Sequence, residues 1–148
     1  MMTDYLIDTH AHLDFSELYY RLEEVLENAK KNNVKRIISI STNLNKIDKI
    51  INLSDKNEEV FFTVGTHPNE VLKDENNSNY DLINNISKKD KCVGIGECGL
   101  DYHYGKDSIK EQKLSFFTQI NVARDTGLPL IIHSRDADED MIDILTSE

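Results

Sequence analysis

Apolar residues gather in five short blocks: Tyr5 to Asp8, Arg36 to Ser41, Val60 to Thr66, Val93 to Glu97, and Leu130 to His133. Each is continuously apolar or rich in β-branched residues, the pattern of a strand covered on both faces, as parallel strands are. Polar segments with helical spacing lie between them. Leu18, Leu22, Val25, Leu26 and Ala29 form one apolar stripe; Ile109, Phe116, Phe117, Ile120 and Ala123 form another, interrupted at Lys113. Weaker helices are predicted over 43–54 and 79–88. Asp14 followed by Glu17 reads as a capping box for the first helix, while Gly127 and Pro129 mark the end of the fourth.

Strand starts recur every 24 to 37 residues or so, roughly the length a βαβ crossover requires, which predicts an α/β fold with right-handed connections. Periodicity alone does not separate an open, doubly wound sheet from a closed barrel. A glycine-rich phosphate turn after the first strand would favour the open sheet, but Asp8-Thr9-His10-Ala11-His12 stands there instead.

Composition narrows this further. A chain of 148 residues, 39% of them hydrophobic, suffices for one core, so residues 1–148 are expected to form a single domain. The net charge of −10 repels a polyanion, and contact with nucleic acid would need a local basic feature or bound cations. Divalent ions held by carboxylates and imidazoles would supply such an inversion of local charge. The N-terminal stretch has no basic region and no apolar run reaches membrane-spanning length, so a cytoplasmic protein without membrane contact is expected. Cys92 and Cys98 fall at the two ends of the fourth strand, roughly 20 Å apart at about 3.3 Å per residue, beyond disulfide reach, and are expected as reduced thiols.

The histidines carry the chemical signal. His10, His12, His67, His103 and His133 all fall at or just beyond the C-terminal ends of predicted strands, the functional rim of α/β folds. His10 and His12, two apart in extended backbone, project from one face and form a chelating pair or, in the plainer reading, two solvated loop side chains. Asp8 shares their face and is placed to orient an imidazole. Glu97 ends the inward row Val93, Ile95, Glu97; a carboxylate there needs a cation, a partner such as Arg135, or an exit to solvent. His133 ends an apolar run and reaches the mouth of the fold as a ligand or as a satisfied core residue. His67, before Pro68, is placed to line the pocket. His103 reads as an exposed loop residue.

Four ordered segments, Ile7-Asp8-Thr9-His10-Ala11-His12-Leu13-Asp14, Gly65-Thr66-His67-Pro68, Gly96-Glu97-Cys98-Gly99-Leu100-Asp101-Tyr102 and Ile132-His133-Ser134-Arg135-Asp136-Ala137, together resemble the TatD-type deoxyribonucleases, which are amidohydrolase-like enzymes. The resemblance implies the first five βα units of a (β/α)8 TIM barrel. It also implies a centre of two divalent ions (Mg²⁺, Mn²⁺ or Zn²⁺) that hydrolyses DNA phosphodiester bonds, with 3′ to 5′ exonuclease action on single strands among the family's activities. Carried over by motif, His10 and His12 hold one ion, His133 holds the second, and Glu97 bridges the two as the catalytic carboxylate. Arg135, His67 and Asp101 stand at substrate-side positions, with Arg135 suited to a bidentate grip on phosphate and Asp101 in a supporting role.

A complete barrel needs about 250 residues, and this sequence stops in what should be the fifth helix. The family's further metal histidine and its general-base aspartate have no counterpart here. A truncated domain with open sheet edges is therefore expected, prone to self-association or completed by another chain. Two other readings compete with the nuclease: a metal-dependent deacylase or amidohydrolase, whose activated water attacks a carbonyl, and a metal-binding fragment without turnover.

Overall fold

The computed structural model describes residues 4–148. Five parallel strands, β1 (Leu6–Ala11), β2 (Val34–Ser39), β3 (Val60–Val64), β4 (Cys92–Asp101) and β5 (Leu130–Arg135), form one sheet in sequential order. Each strand adds to the same edge, and right-handed crossovers then put every helix on the same face, so the sheet curls into an arc of a barrel. A doubly wound sheet would reverse its order, and this one does not.

The helices are α1 (Ser16–Tyr19), α2 (Leu22–Lys31), α3 (Ile47–Lys56), α4 (Tyr80–Ser87), α5 (Ile109–Thr126) and α6 (Asp138–Ser147). The largest core cluster packs Ile50 of α3, Ile83 of α4 and Val122 of α5 against Phe62, Val64 and Ile95 of β3 and β4. A second joins Phe116 and Ile120 of α5 to Leu100 of β4 and to Met141 and Ile144 of α6. The third lays Leu22, Val25 and Leu26 of α2 over Ile37 and Val60. The helix termini follow the chemistry: Asn79 caps α4 by accepting from the Leu82 N–H at 3.0 Å, and Gly127, at φ +72°, closes α5 in the left-handed conformation.

The structure differs from the pattern reading at several places. The first helix is two, broken at residues 20–21. The capping box does not form: Phe15 is the N-cap of α1 without a side-chain cap, and Glu17 accepts from the Ser16 hydroxyl instead. Asp14 turns inward with the fully buried Leu13, its Oδ1 left without a partner, and burial raises its pKa. Lys113, the break in the α5 stripe, reaches Asp140 of α6 at 2.8 Å.

β4 runs well past its expected end at Glu97 to Asp101. Gly96 and Gly99 both sit at φ +130°, and the pairing with β5 slips so that Gly96 faces Ile131 and Cys98 faces Ile132. Glu97 is the extra residue, a bulge of the kind that re-aims a side chain; its N–H donates instead to the Ser41 carbonyl at 2.8 Å. Cys98 therefore lies inside the strand and not at its end, and both thiols are free and buried. Among the described residues no helix is long and apolar enough to cross a membrane.

Candidate metal centre

The C-terminal strand ends bring four imidazoles around one carboxylate. His10, near the end of β1, places Nε2 at 3.3 Å from Glu97 Oε2, and His12, just beyond the strand, places Nε2 at 4.0 Å from the same oxygen. On the opposite side His133 Nδ1 lies 3.3 Å and His67 Nε2 3.9 Å from Glu97 Oε1. The bulge in β4 aims Glu97 into the middle of this group.

Bonds behind the rings decide what each nitrogen offers. The Nδ1–H of His12 donates to the Ile40 carbonyl at 3.2 Å, which leaves Nε2 with a bare lone pair towards Glu97. The Nε2–H of His133 donates to Asp101 Oδ2 at 3.0 Å, which leaves Nδ1 bare on the Glu97 side. A bare nitrogen and a carboxylate oxygen at such separations repel unless a proton or a cation lies between them. At His133 a proton is favoured there: the hydrogen bond to Glu97 raises its pKa against the effect of burial. Burial opposes ionisation of Glu97, but the His133 hydrogen bond and the neighbouring imidazoles outweigh it and lower its pKa. A divalent ion would displace that proton, as metals do at imidazole and carboxylate sites. The donor chemistry thus fits a metal.

Two groups have donor atoms within 4.8 Å of one another: His10, His12 and Glu97, and His67, Glu97 and His133, with Glu97 common to both. The second is weaker than its geometry suggests. His67 Nδ1 accepts the Asn69 N–H at 3.1 Å, and burial, the largest influence, lowers the ring's pKa and keeps it neutral. Neutral His67 then carries its proton on Nε2, 3.2 Å from His133 Nδ1, and donates to that nitrogen when it is unprotonated, so that half of the centre offers a metal His133 and Glu97.

Asp101 is buried and saturated: Oδ2 accepts from His133 and, at 2.9 Å, from Asn69 Nδ2, while Oδ1 accepts the His103 and Tyr104 N–H groups at 3.0 and 2.9 Å. It orients His133 and has no oxygen left over. Asp8 departs from expectation, because its Oδ1 accepts the backbone N–H of His10 at 3.1 Å and leaves the imidazole alone. Arg135 does not pair with Glu97; its guanidinium lies over the Tyr104 ring, 4.6 Å from the centroid, exposed at the rim. His103 is exposed in a loop, as expected, 3.1 Å from the Asp136 carboxylate.

Pattern reading passed over two buried glutamines on α5. Gln119 accepts the Thr66 N–H and donates to the Thr66 carbonyl, both at 3.1 Å; Gln112 accepts the Asp101 N–H at 2.8 Å and donates to the Gly105 carbonyl at 2.9 Å. They fasten the loop that carries His67 and the end of β4 to one helix. Their signal was present, since residues seven apart on a helix share a face, and Phe116 lies on that face too. The centre opens into a cleft of about 350 Å³ lined by His10, His12, Phe15, Thr42, Lys46, His67, Asn69, Glu70 and Glu97.

Comparison with known proteins identifies the family. Residues 7–148 match the family described as TatD related DNase. An uncharacterized metal-dependent hydrolase of Bacillus subtilis, YabD, is 38% identical over 97% of this chain and 56% of its own length. Human deoxyribonuclease TATDN3 is 32% identical over 97% of this chain and 57% of its own. The crystal structure of YjjV, a TatD homolog from Escherichia coli, superposes with a TM-score of 0.86 at 25% identity, over 96% of this chain and 55% of that one. A TatD family hydrolase from Entamoeba histolytica gives a TM-score of 0.85 at 26% identity, over 99% and 55%. The chain spans about half the length of these relatives. With the sequence match running from the first strand to the last helix and the same fold in the solved structures, this chain belongs to the TatD-related DNase family.

Proposed function

We propose that this chain carries the metal-binding part of a hydrolase that cleaves DNA phosphodiester bonds, acting from the 3′ ends of single strands. The observation that carries the reading is Glu97 held between His12 and His133, each with a far-side ring nitrogen bonded to the protein and the other nitrogen turned towards the carboxylate. His10, His12 and Glu97 would hold one divalent ion, and Glu97 with His133 would begin the site of a second. Imidazole with carboxylate suits Zn²⁺ or Mn²⁺, and Mg²⁺ where water completes the shell. Bound there, such ions supply an activated water and offset the charge that develops on phosphoryl oxygens. With His133 Nδ1 engaged by a metal, His67 Nε2–H, 3.2 Å from it, would be released as a donor to a substrate oxygen beside the centre, and Arg135, swinging from Tyr104, offers a bidentate grip on phosphate. Asp101 keeps His133 in the tautomer that this arrangement needs.

The family description and the name of the human relative support DNA over an acyl substrate. The chain corresponds to 56% of YabD, and the reading assigns turnover to the completed barrel, reached through a longer polypeptide, a completing chain or self-association. It keeps the cytoplasmic location, where Cys92 and Cys98 stay reduced.

The test has two arms. Metal content after equilibration with Zn²⁺ or Mn²⁺ is expected to fall by at least one ion per chain when His10→Ala and His12→Ala are combined; unchanged content would overturn the ligand assignment. Single-stranded DNA with a free 3′ end is expected to be degraded by the complete protein and little by residues 1–148 alone. Preference for acyl or amide substrates would instead establish the deacylase reading, and metal binding without hydrolysis of either would establish a non-catalytic one.

A further inference from the structure

Phe15 is an aromatic residue left 43% exposed at the mouth of the cleft. Its ring stacks on His12, with centroids 4.8 Å apart and planes at 18°. The imidazole beneath is fixed by the Ile40 carbonyl, so the phenyl ring rests on a rigid support. One face is thereby covered and the other is left for the cleft. Lys46, exposed at the end of a 3₁₀ turn (Leu44–Lys46), lines the same cleft. The carboxylate that lines this cleft with it, Glu70, is bonded to Lys73 at 2.8 Å and to Asn43 at 3.2 Å. Lys46 thus brings a positive charge to the cleft that Phe15 lines, in a chain of net charge −10.

We propose that Phe15 and Lys46 form a nucleotide subsite beside the metal centre, the base stacking on the open face of Phe15 and the phosphate meeting Lys46. The proposal rests on the reading of the substrate as DNA and specifies how that substrate is held. The cleft itself favours this ligand. Apart from Phe15 its outer walls are Thr42, Lys46, Asn69 and Glu70, all polar residues, so its one apolar side chain is a flat ring. That matches the π-face of a base and gives no channel for an acyl tail. A platform already stacked on a fixed imidazole loses little freedom on binding, and stacking on an aromatic side chain accepts any base.

The chain contains no tryptophan, so Phe15→Trp introduces a single reporter at the platform. In Mg²⁺ buffer, dTMP is expected to quench the indole saturably, and deoxyribose 5-phosphate to displace it only at concentrations about tenfold higher or more, the usual value of one stacked base. Lys46→Gln in the same background is expected to weaken dTMP severalfold and leave thymidine unchanged. Absence of saturable quenching, or equal competition by the sugar phosphate, would overturn the subsite. A second measurement avoids the tryptophan: the native chain should bind a fluorescein-labelled oligothymidylate more tightly than an abasic strand of equal length, and Phe15→Leu should abolish the difference. Persistence of the difference in Phe15→Leu would count against the proposal. The two readings fail separately. Saturable quenching by dTMP without DNA cleavage by the complete protein leaves the subsite standing and removes the nuclease; DNA cleavage with unchanged KM in Phe15→Leu does the reverse.

Discussion

Gly99 shows how closely the backbone is fitted around the centre. Its φ of +130° is open to glycine and strained for other residues, and a Cβ there would run into the carbonyl oxygen of His133. A methyl group must therefore displace the strand that carries a candidate ligand. Gly99→Ala is expected to destabilise the fold by about 1–3 kcal/mol, the usual cost of a backbone forced into a rare region, and to weaken metal binding along with it. Denaturant unfolding and metal titration on the same samples would check this; unchanged stability would mean that the strands can part there freely. His10, His12, Glu97 and His133 were legible as residues because strand periodicity places side chains two apart on one face and strand ends on one rim. The tautomer of His67 was not legible, since it depends on an N–H two residues on, and neither was the use of Asp8, whose backbone bond no spacing announces.

Among the elements, α6 is held to the sheet by a small polar cluster as well as by Met141 and Ile144. The Tyr102 hydroxyl at the end of β4 donates to Asp140 Oδ2 at 2.5 Å, and Lys113 of α5 reaches Asp140 Oδ1 at 2.8 Å. The Lys113 bond, and then the Tyr102 bond, lower the pKa of Asp140 below its ordinary 3.8. A depressed carboxylate stabilises the fold above its unfolded pKa, and that contribution disappears as the pH falls through the folded value. Tyr102 is shifted up, by burial first and by Asp140 second, so its contribution persists to the unfolded pKa near 10 and fades as the pH rises further. Tyr102→Phe is expected to cost at most about 1 kcal/mol at neutral pH, and Asp140→Asn to flatten the acid limb of the stability curve below pH 3.8. Equilibrium unfolding between pH 2 and 7 would show it; an acid limb with the same slope in Asp140→Asn would refute the assignment. All five strands were readable, because apolar runs covered on both faces are distinctive. The extension of β4 was not, since glycines at positive φ carry it and glycine ordinarily weakens a strand. Nor was the break at Tyr20 and Arg21, where nothing local opposes a helix.

At the scale of the whole molecule, an arc of five strands ends in two edges. Leu6, with 62% of its surface exposed, and Ile7, with 48%, mark the first, and Ile132, with 43%, marks the last. Each edge pairs unsatisfied backbone N–H and C=O groups with apolar side chains, the combination that templates further strand pairing. Opposing it is the net charge of −10, which makes copies of the chain repel one another. The balance depends on salt: repulsion reaches about 30 Å at 0.01 M ionic strength and only about 8 Å at 0.15 M, whereas apolar and backbone contacts are not screened. Residues 1–148 are therefore expected to be closest to monomeric at low ionic strength and to associate as salt and concentration rise. Combining Leu6→Lys with Ile132→Lys should suppress that association, because a lysine on an edge strand both repels its like and blunts the apolar patch. Static light scattering across a salt series would decide the matter. A monomer at every salt concentration, or association that grows as salt is removed, would show that these edges are already satisfied within the chain.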